Sequence, residues 1–350
     1  MKNTAVVILN WNGQKLLEQF LPSVLQYSAQ ATIYVADNAS TDDSVAFVQA
    51  HYPQIKIIQN IANYGFAQGY NEALKQVQEP FLVLVNSDIE VTENWLVPIE
   101  KLFQEQSEVA IVQPKILDFK DKSKFEYAGA AGGFIDQFGY PFCRGRVFDT
   151  VEQDFGQYND ETSIFWASGA CLFIRKSVFE SLQGFDTDFF AHQEEIDLCW
   201  RAKNQGHDIV YCPDSMVYHV GGATLQEGNP RKTYLNFRNS LCMLTKNLPL
   251  SSVFPILLLR LILDGLAGIQ FLVQGKAKHC WAIVQAHFGF YNLFFKMWKK
   301  RGADQEINYY KINSIVFNLN KTISKILYFF FHILTPTIHT SSTCSNSPFH

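Results

Sequence analysis

Four short polar clusters carry residue types suited to holding a phosphorylated ligand and its counter-ion. They are Asn10-Trp11-Asn12, Asp37-Asn38-Ala39-Ser40, the run Asn63-Tyr64-Gly65-Phe66-Ala67-Gln68-Gly69, and Asn86-Ser87-Asp88. Asp37 can accept hydrogen bonds from a base or a ribose, and Trp11 offers an apolar face for a base to rest on. Gly65 and Gly69 allow close backbone approach, and a helix starting there would aim its N-terminus at an anion. Asp88 is a hard oxygen ligand of the kind Mg²⁺ or Mn²⁺ takes alongside phosphate oxygens. Together these chemistries suit a nucleoside diphosphate with a divalent metal. Each cluster alone is also ordinary turn and cap composition.

What gives the clusters weight is where they fall. Apolar runs alternate with helical periodicity through the first 115 residues. Strands are expected at Thr4–Leu9, Thr32–Ala36, Lys56–Gln59, Phe81–Val85 and Val109–Val112. Helices are expected at Lys15–Tyr27, Ser44–Ala50, Ala67–Val77 and Trp95–Gln106. The order predicts a mostly parallel, Rossmann-like α/β sheet with helices on both faces. In such sheets ligands bind beyond the carboxyl ends of the strands, which is where all four clusters lie.

The period weakens from Asp118 to Asp160, a long excursion with some β structure. Strands Ile164–Ala167 and Ala170–Arg175 follow, then helices near Ser177–Leu182 and Glu194–Gln205. Short strands at Ile209–Cys212 and Met216–His219 close the pattern. The expected domains are residues 1–240, in halves of about 1–115 and 116–240, and a helical basic and aromatic region, 241–350.

Two familiar phosphate-binding patterns are absent. Neither Gly-x-Gly-x-x-Gly nor Gly-Lys-Ser/Thr occurs, which argues against a dinucleotide dehydrogenase and a P-loop NTPase. The seven cysteines are scattered and odd in number, with no Cys-x-x-Cys, so neither a zinc site nor a disulfide framework is expected. The start of the chain lacks signal-peptide character, and a cytoplasmic protein is expected.

Charge is divided unevenly. From Gly265 to His350 eight Lys and Arg301 face only Asp304 and Glu306, a surplus of seven; against the net −4, residues 1–264 carry −11. Within Val253–Val273, nearly long enough to span a bilayer, Arg260 and Asp264 sit at mid-length. Charges there disfavour a span, and a helix lying in the membrane interface is the preferred reading. Lys276, Lys278, Lys296, Lys299, Lys300 and Arg301, interleaved with Trp281, Phe288, Phe290, Tyr291, Phe294, Phe295 and Trp298, suit an anionic lipid surface. The alternative is a helical subdomain packed on the body.

The ordered series of motifs resembles the family 2 glycosyltransferases of GT-A fold, and most nearly their rhamnosyltransferase-like branch. The likeness runs through Val6–Gly13, Ala36–Asp43, Asn63–Asn71 and Leu84–Val91, then Trp166–Ala170, Gly184–Phe190, Glu194–Arg201 and His219-Val220-Gly221-Gly222. It implies an inverting, metal-assisted transfer of a sugar from a nucleotide-sugar donor to a glycan. With the basic, aromatic C-terminus, the expected setting is surface polysaccharide synthesis on a lipid-linked acceptor at the cytoplasmic face of the membrane, with no nucleic-acid partner. By this resemblance Asn10, Trp11, Asn12, Asp37, Asn38, Asn63, Gly65, Ala67, Gly69, Asn71, Asn86 and Ser87 line the donor. Asp88 matches the metal-binding end of Asp-x-Asp, whose first position here is Asn86, leaving one carboxylate. His219 matches a histidine reaching the metal or the diphosphate.

Glu195 falls at the catalytic-base position of the family, with Glu194 or Asp197 as orienting groups. Direct inversion needs a carboxylate beside the acceptor hydroxyl. Acids at the start of a helix also favour its dipole without any catalytic role. Trp166, Ser168 and Gly169 are candidate walls of the acceptor pocket, and Arg231, Arg238 and Asn239 could close over the diphosphate. Two other readings stand beside this one. A sugar-phosphate nucleotidyltransferase would carry a basic glycine-rich first loop, whereas Asn10–Gly13 has no Arg or Lys. A catalytically degenerate transferase scaffold is suggested by Asn86.

Overall fold

The computed structural model describes residues 2–147, 150–221, 228–302, 305 and 308–316. The first third is built as strands β1 (Thr4–Asn10), β2 (Thr32–Asp37), β3 (Lys56–Gln59), β4 (Phe81–Asn86), β5 (Ile89–Val91) and β6 (Val109–Asp118). Helices α1 (Gln14–Tyr27), α2 (Ser44–His51), α3 (Gly65–Leu74) and α4 (Val97–Glu105) connect them. The excursion after β6 forms a small antiparallel sheet of β7 (Gly133–Ile135), β8 (Pro141–Cys143), β9 (Arg146–Val147) and β10 (Thr150–Val151). The chain returns through β11 (Thr162–Ser163), β12 (Cys171–Arg175), α5 (Lys176–Ser181), α6 (Glu194–Asn204) and β13 (Asp208–His219). Helices α7 (Pro230–Asn247), α8 (Leu250–Val273) and α9 (Ala277–Lys299) follow, and the domain boundary expected at residue 240 falls inside α7.

Among the described residues the main sheet has nine strands in the order β11-β13-β6-β12-β4-β1-β2-β3, with β5 paired to β13. β1 is parallel to β2 and β4, and β6 to β13; β12 runs antiparallel between β4 and β6. The strands are covered on both sides. Val6, Ile8, Val83, Val85 and Phe173 face α1 and α4, while Ala5, Val7, Leu82, Leu84 and Leu172 share the opposite core with Tyr70 of α3 and Trp200 of α6. That two-sided burial is why these runs are continuously apolar.

Three elements differ from expectation. Ile164–Ala167 is not a strand: Trp166 makes one bridge to Gly133, and the paired strand is Thr162–Ser163. The two strands expected after α6 are one, β13, with an irregularity in register between Cys212 and Met216. Pro213 lies there and has no N–H to offer a ladder. Helix α3 begins at Gly65 and ends at Leu74, earlier at both ends than its apolar period predicts.

The C-terminal helices resolve the placement of Arg260 and Asp264. Both are buried on the side of α8 that packs on the body. Arg260 donates to the carbonyls of Phe138 and Gly139 and to Ser240 Oγ, and lies 3.8 Å from the Tyr140 ring centroid. Asp264 faces His287 of α9 at 3.2 Å. The opposite side of α8 exposes Leu250, Phe254, Leu258, Ile262, Leu266 and Ile269, and the neighbouring α9 exposes Trp281, Phe288, Tyr291 and Phe295. Packing on the body and a free apolar face therefore coexist.

Candidate functional site

Parallel register sets the donor edge. Asn10 at the end of β1 pairs with Asp37 at the end of β2, and Asn86 at the end of β4 sits opposite Leu9. Asn10 and Asp37 are buried, and Asn10 Nδ2 donates to Asp37 Oδ1 at 3.2 Å and to Ser40 Oγ at 3.2 Å. Asp37 Oδ2 accepts from the Ser40 N–H at 3.0 Å, so each carboxylate oxygen keeps further acceptor capacity toward the edge. Asn10 Oδ1 is buried without a partner. Trp11 stands 48% exposed at the tip, free to receive a flat ring. Asn12 is exposed and holds the loop: its Oδ1 accepts from the N–H groups of Thr41 and Asp42.

The second cluster is an amide network. Asn38 donates to Asn63 Oδ1 at 3.1 Å and to the Gly65 carbonyl at 2.9 Å, and accepts from Asn60 Nδ2 and the Tyr64 N–H. Gly69 packs against Asn38, with room for a Cβ only 3.1 Å from its Nδ2. Ala67 is buried beneath. Asn38 and Asn63 thus shape the loop. Asn71 has a different task from the expected one: its amide group both donates to and accepts from the backbone of Phe185, tying α3 to the Gly184 turn.

The anion site expected at the start of α3 is occupied by backbone. Phe190 O accepts from Phe66 N at 2.9 Å and Ala67 N at 3.3 Å, and the Phe190 ring covers Gly65, whose φ is +70°. Two N–H groups left open by the helix are satisfied by the protein itself.

Asp88 and His219 meet because β5 pairs with the end of β13, placing Ile89 opposite His219. His219 Nε2 lies 3.2 Å from Asp88 Oδ1, and its Nδ1 lies 3.2 Å from Glu126 Oε1. All three side chains are buried. Burial alone would lower the His219 pKa, but Glu126 and Asp88 overcome it and push it up to about 10. Among the described residues no group of three or more His, Cys, Asp and Glu is arranged to hold an ion by itself. Asp88 Oδ1 and His219 Nε2 nonetheless lie side by side, with Asn86 two residues before Asp88 at the end of β4. With Nε2 deprotonated, as metal binding requires, this pair would fit a divalent ion whose remaining ligands come from phosphate and water. Glu126 was not anticipated, since it lies in the aperiodic excursion, where spacing carries no signal.

The second half of the site is the segment leading into α6. Phe190, His192 and Gln193 all take positive φ (67°, 69° and 73°). His192 Nε2, Gln193 Oε1, Glu194 Oε2 and Glu195 Oε2 are each buried without a hydrogen-bond partner. Strain and orphaned polar atoms in consecutive residues are the marks of a functional segment. Burial pushes the Glu195 carboxyl up to about 7, and burial followed by the nearby Glu195 charge drives Glu194 higher than an ordinary carboxylate. Burial likewise brings His192 down to about 4.

Helix α7 holds this segment in place. Asn239 Nδ2 lies within 2.8–2.9 Å of the carbonyls of Phe189, Ala191 and His192, and Arg238 donates to those of Asp188 and Phe189. Arg238 and Asn239 therefore support the loop rather than close over a diphosphate, and Arg231 lies 5.2 Å from the Phe190 ring centroid. Asp197 also departs from its expected orienting role. It is fully buried, and its oxygens are taken by Arg201 Nε at 2.8 Å, Lys246 Nζ at 2.9 Å and Asn247 Nδ2 at 2.8 Å. Lys246 bridges it to Asp186, which with Asp188 anchors Lys300. Asp197 ties α6 to α7.

Of the three acceptor-wall candidates, Gly169 alone reaches the site. A Cβ there would sit 3.3 Å from Phe66 and 3.8 Å from Glu195, placing Gly169 between the donor edge and the candidate base. Ser168 is buried and shapes the turn, its N–H donating to Gln113 Oε1 and its Oγ accepting from the Ala170 N–H. Trp166 is core: it is buried on Gly133, and its indole donates to the Phe134 carbonyl at 2.8 Å. The turn is continuous with the donor edge, because the Asn86 N–H donates to the Ala170 carbonyl.

Comparison with known proteins agrees with this arrangement. The sequence profile described as "Glycosyltransferase like family 2" matches residues 2–234. An N-acetylglucosaminyl-diphospho-decaprenol L-rhamnosyltransferase of Mycobacterium tuberculosis is 26% identical, over 61% of this chain and 75% of its own length. The rhamnosyltransferase WbbL of Escherichia coli is 24% identical, over 61% of this chain and 82% of its own. The crystal structure of GalNAc-T7 with UDP, GalNAc and Mn²⁺ superposes with a TM-score of 0.55 at 16% identity, covering 71% of this chain and about half (48%) of that one. Its fold is the GT-A architecture seen here. With a matched profile spanning most of the globular body, the chain belongs to glycosyltransferase family 2 and is a glycosyltransferase.

Proposed function

We propose that the protein is an inverting transferase that moves a hexose from a nucleoside-diphosphate sugar to a hydroxyl of a lipid-linked glycan in surface polysaccharide synthesis. The observation that carries the reading is Glu195: an unpartnered, buried carboxylate oxygen beside Gly169, on a strained segment facing the donor edge. With a pKa near 7 it is matched to taking a proton at neutral pH.

Glu195 Oε2 takes the acceptor hydroxyl proton as the acceptor oxygen attacks the anomeric carbon. The anomeric C–O bond breaks, and its electron pair leaves with the nucleoside diphosphate. One displacement inverts the anomeric configuration. Burial and the adjacent Glu195 charge both raise the Glu194 carboxyl, which opposes ionisation of the two acids together. Asp37 and Trp11 receive the nucleoside, and Asp88 with His219 would hold a divalent ion, Mg²⁺ or Mn²⁺. When bound, that ion supplies Lewis-acid stabilisation of the departing diphosphate.

The lipid-linked acceptor is supported by the name of the mycobacterial relative and by the apolar face of α8 and α9. α8 is apolar and 24 residues long, sufficient by length and composition to cross a membrane. Its buried Arg260–Asp264 side favours lying along the surface, with Lys276 in the turn at its end and Lys278 at the start of α9. The six cysteines described are free thiols, in keeping with a reducing, cytoplasmic side.

A screen of UDP-, dTDP- and GDP-sugars, reading released nucleoside diphosphate with Mg²⁺ or Mn²⁺ and a polyprenyl-diphosphate-sugar acceptor, tests the reading. Turnover lost in Glu195→Gln and Asp88→Ala is the expected result. Transfer that survives both substitutions unchanged would sink it.

A further inference from the structure

We propose that Glu126 is the positioning residue of the metal centre: it fixes the His219 ring so that Nε2 is presented toward Asp88. The inference rests on Asp88 and His219 as the metal-holding pair, and names the group that orients one of them.

Glu126 approaches Nδ1 and Asp88 approaches Nε2, each at 3.2 Å, so the imidazole lies between two carboxylates. The Nδ1 contact has the reach of a hydrogen bond without its alignment, and Nδ1 has no other partner among the described residues. A ligating histidine commonly gives its other ring N–H to a carboxylate, which settles the tautomer and the ring plane. Glu126 is itself well anchored. Its N–H donates to the Ile116 carbonyl of β6, and its Oε2 accepts from the Ala128 N–H at 2.6 Å. The preceding Phe125 is buried, and its N–H donates to Glu152 O. The carboxylate therefore leaves the fold in one direction, with Oε1 toward Nδ1.

Gly221 fits the same arrangement. It takes φ +70°, and a Cβ there would lie 3.1 Å from Glu126 Oε1. The glycine after His219-Val220 leaves room for the carboxylate that steers the histidine. The pairing also explains how a residue in an aperiodic excursion enters the site. β6 and β13 are paired with Ile116 opposite Val217 and Asp118 opposite His219, so a segment folding back on Ile116 lands beside the end of β13.

A buried ion pair that merely ties the excursion to β13 would alter stability alone. The test is therefore Mn²⁺ affinity of the full chain by EPR titration in the presence of UDP, GDP or dTDP. Wild type, Asp88→Ala, Glu126→Gln and Glu126→Ala are compared, with metal-free thermal melts in parallel. The expected result is loss of binding in Asp88→Ala and about 10- to 100-fold weaker Mn²⁺ binding in Glu126→Ala, with Glu126→Gln between it and wild type. Binding lost in Asp88→Ala but unchanged in both Glu126 variants overturns the inference and leaves the metal pair standing. Absence of Mn²⁺ binding by the wild type with every nucleotide overturns both. Should the Glu126 variants not fold, ¹⁵N-histidine NMR of the wild type with Mg²⁺ and nucleotide decides. An Nδ1-protonated His219 supports the role, and an Nε2-protonated one refutes it.

Discussion

The carbonyl oxygen of Phe190 lies 2.9 Å from the amide nitrogen of Phe66, so the segment carrying the candidate base caps the helix that opens the donor edge. The donor and acceptor halves are joined at this backbone contact. Gly65 makes it possible, because its φ of +70° and missing side chain admit the Phe190 ring and carbonyl at distances that a Cβ would turn into clashes of 2.7–2.8 Å.

Gly65→Ala is expected to disturb both halves at once. Left-handed backbone and the clash together should cost about 1–3 kcal/mol, seen as a lowered midpoint in urea unfolding. The displaced segment carries Glu195, so kcat should fall more than donor affinity. Equal loss in both would mean that the contact does not set the base.

Glu195→Gln should reduce kcat by about 10²- to 10⁴-fold while nucleoside diphosphate affinity, read by calorimetry, stays near wild type. A comparable loss of nucleotide affinity would place Glu195 on the donor instead.

The same residue sets a pH profile. A base works ionised, and the Glu195 carboxyl is raised to about 7. The rate of transfer should climb tenfold per pH unit below that value and level off above it, and an ordinary carboxylate profile, flat above pH 5, would count against the assignment. Stability runs the other way for this group. The unfolded chain releases the proton near the usual glutamate pKa and the folded chain near 7, so its contribution to stability declines as pH rises between them.

Asp197 and Asp186 show the opposite linkage. Lys246, with Arg201 and Lys300, outweighs the burial of these carboxylates and holds both below the ordinary range. Their contribution is full above about pH 4 and is lost as the solution becomes more acidic. Asp197→Ala leaves Lys246 with a single buried carboxylate and should cost about 3–5 kcal/mol. Chemical denaturation at pH 7 measures it, and a loss under 1 kcal/mol would contradict the anchoring role.

Leu258→Asp and Phe288→Asp place charge on the exposed face of α8 and α9, opposite the packed side. Co-sedimentation with phosphatidylglycerol vesicles should drop several-fold, with little change in thermal stability. Wild-type protein that fails to sediment at low salt would remove the membrane from the reading.

Periodicity and strand-end composition were enough to place the sheet, its carboxyl edge, and the Asn10, Asp37 and Asp88 clusters upon it, because a buried strand must be apolar and its end must turn. The acids ahead of α6 were equally legible as a cluster. Which of them are free was not: Glu194 and Glu195 each keep an unpartnered oxygen while Asp197, two residues beyond Glu195, is consumed by Lys246 and Asn247, and that choice depends on α7 arriving from some fifty residues away. Trp166 and Asn71 likewise belong to the packing, and only their neighbours Gly133 and Phe185 reveal it. Arg260 and Asp264 read as charges to be kept out of lipid, and the body of the protein receives them instead. Glu126 left no local trace, because its role comes from strand pairing between β6 and β13. Local pattern determines which backbone forms and which edge is polar, while partnership between side chains distant in the chain is decided only when the sheet closes and the helices pack.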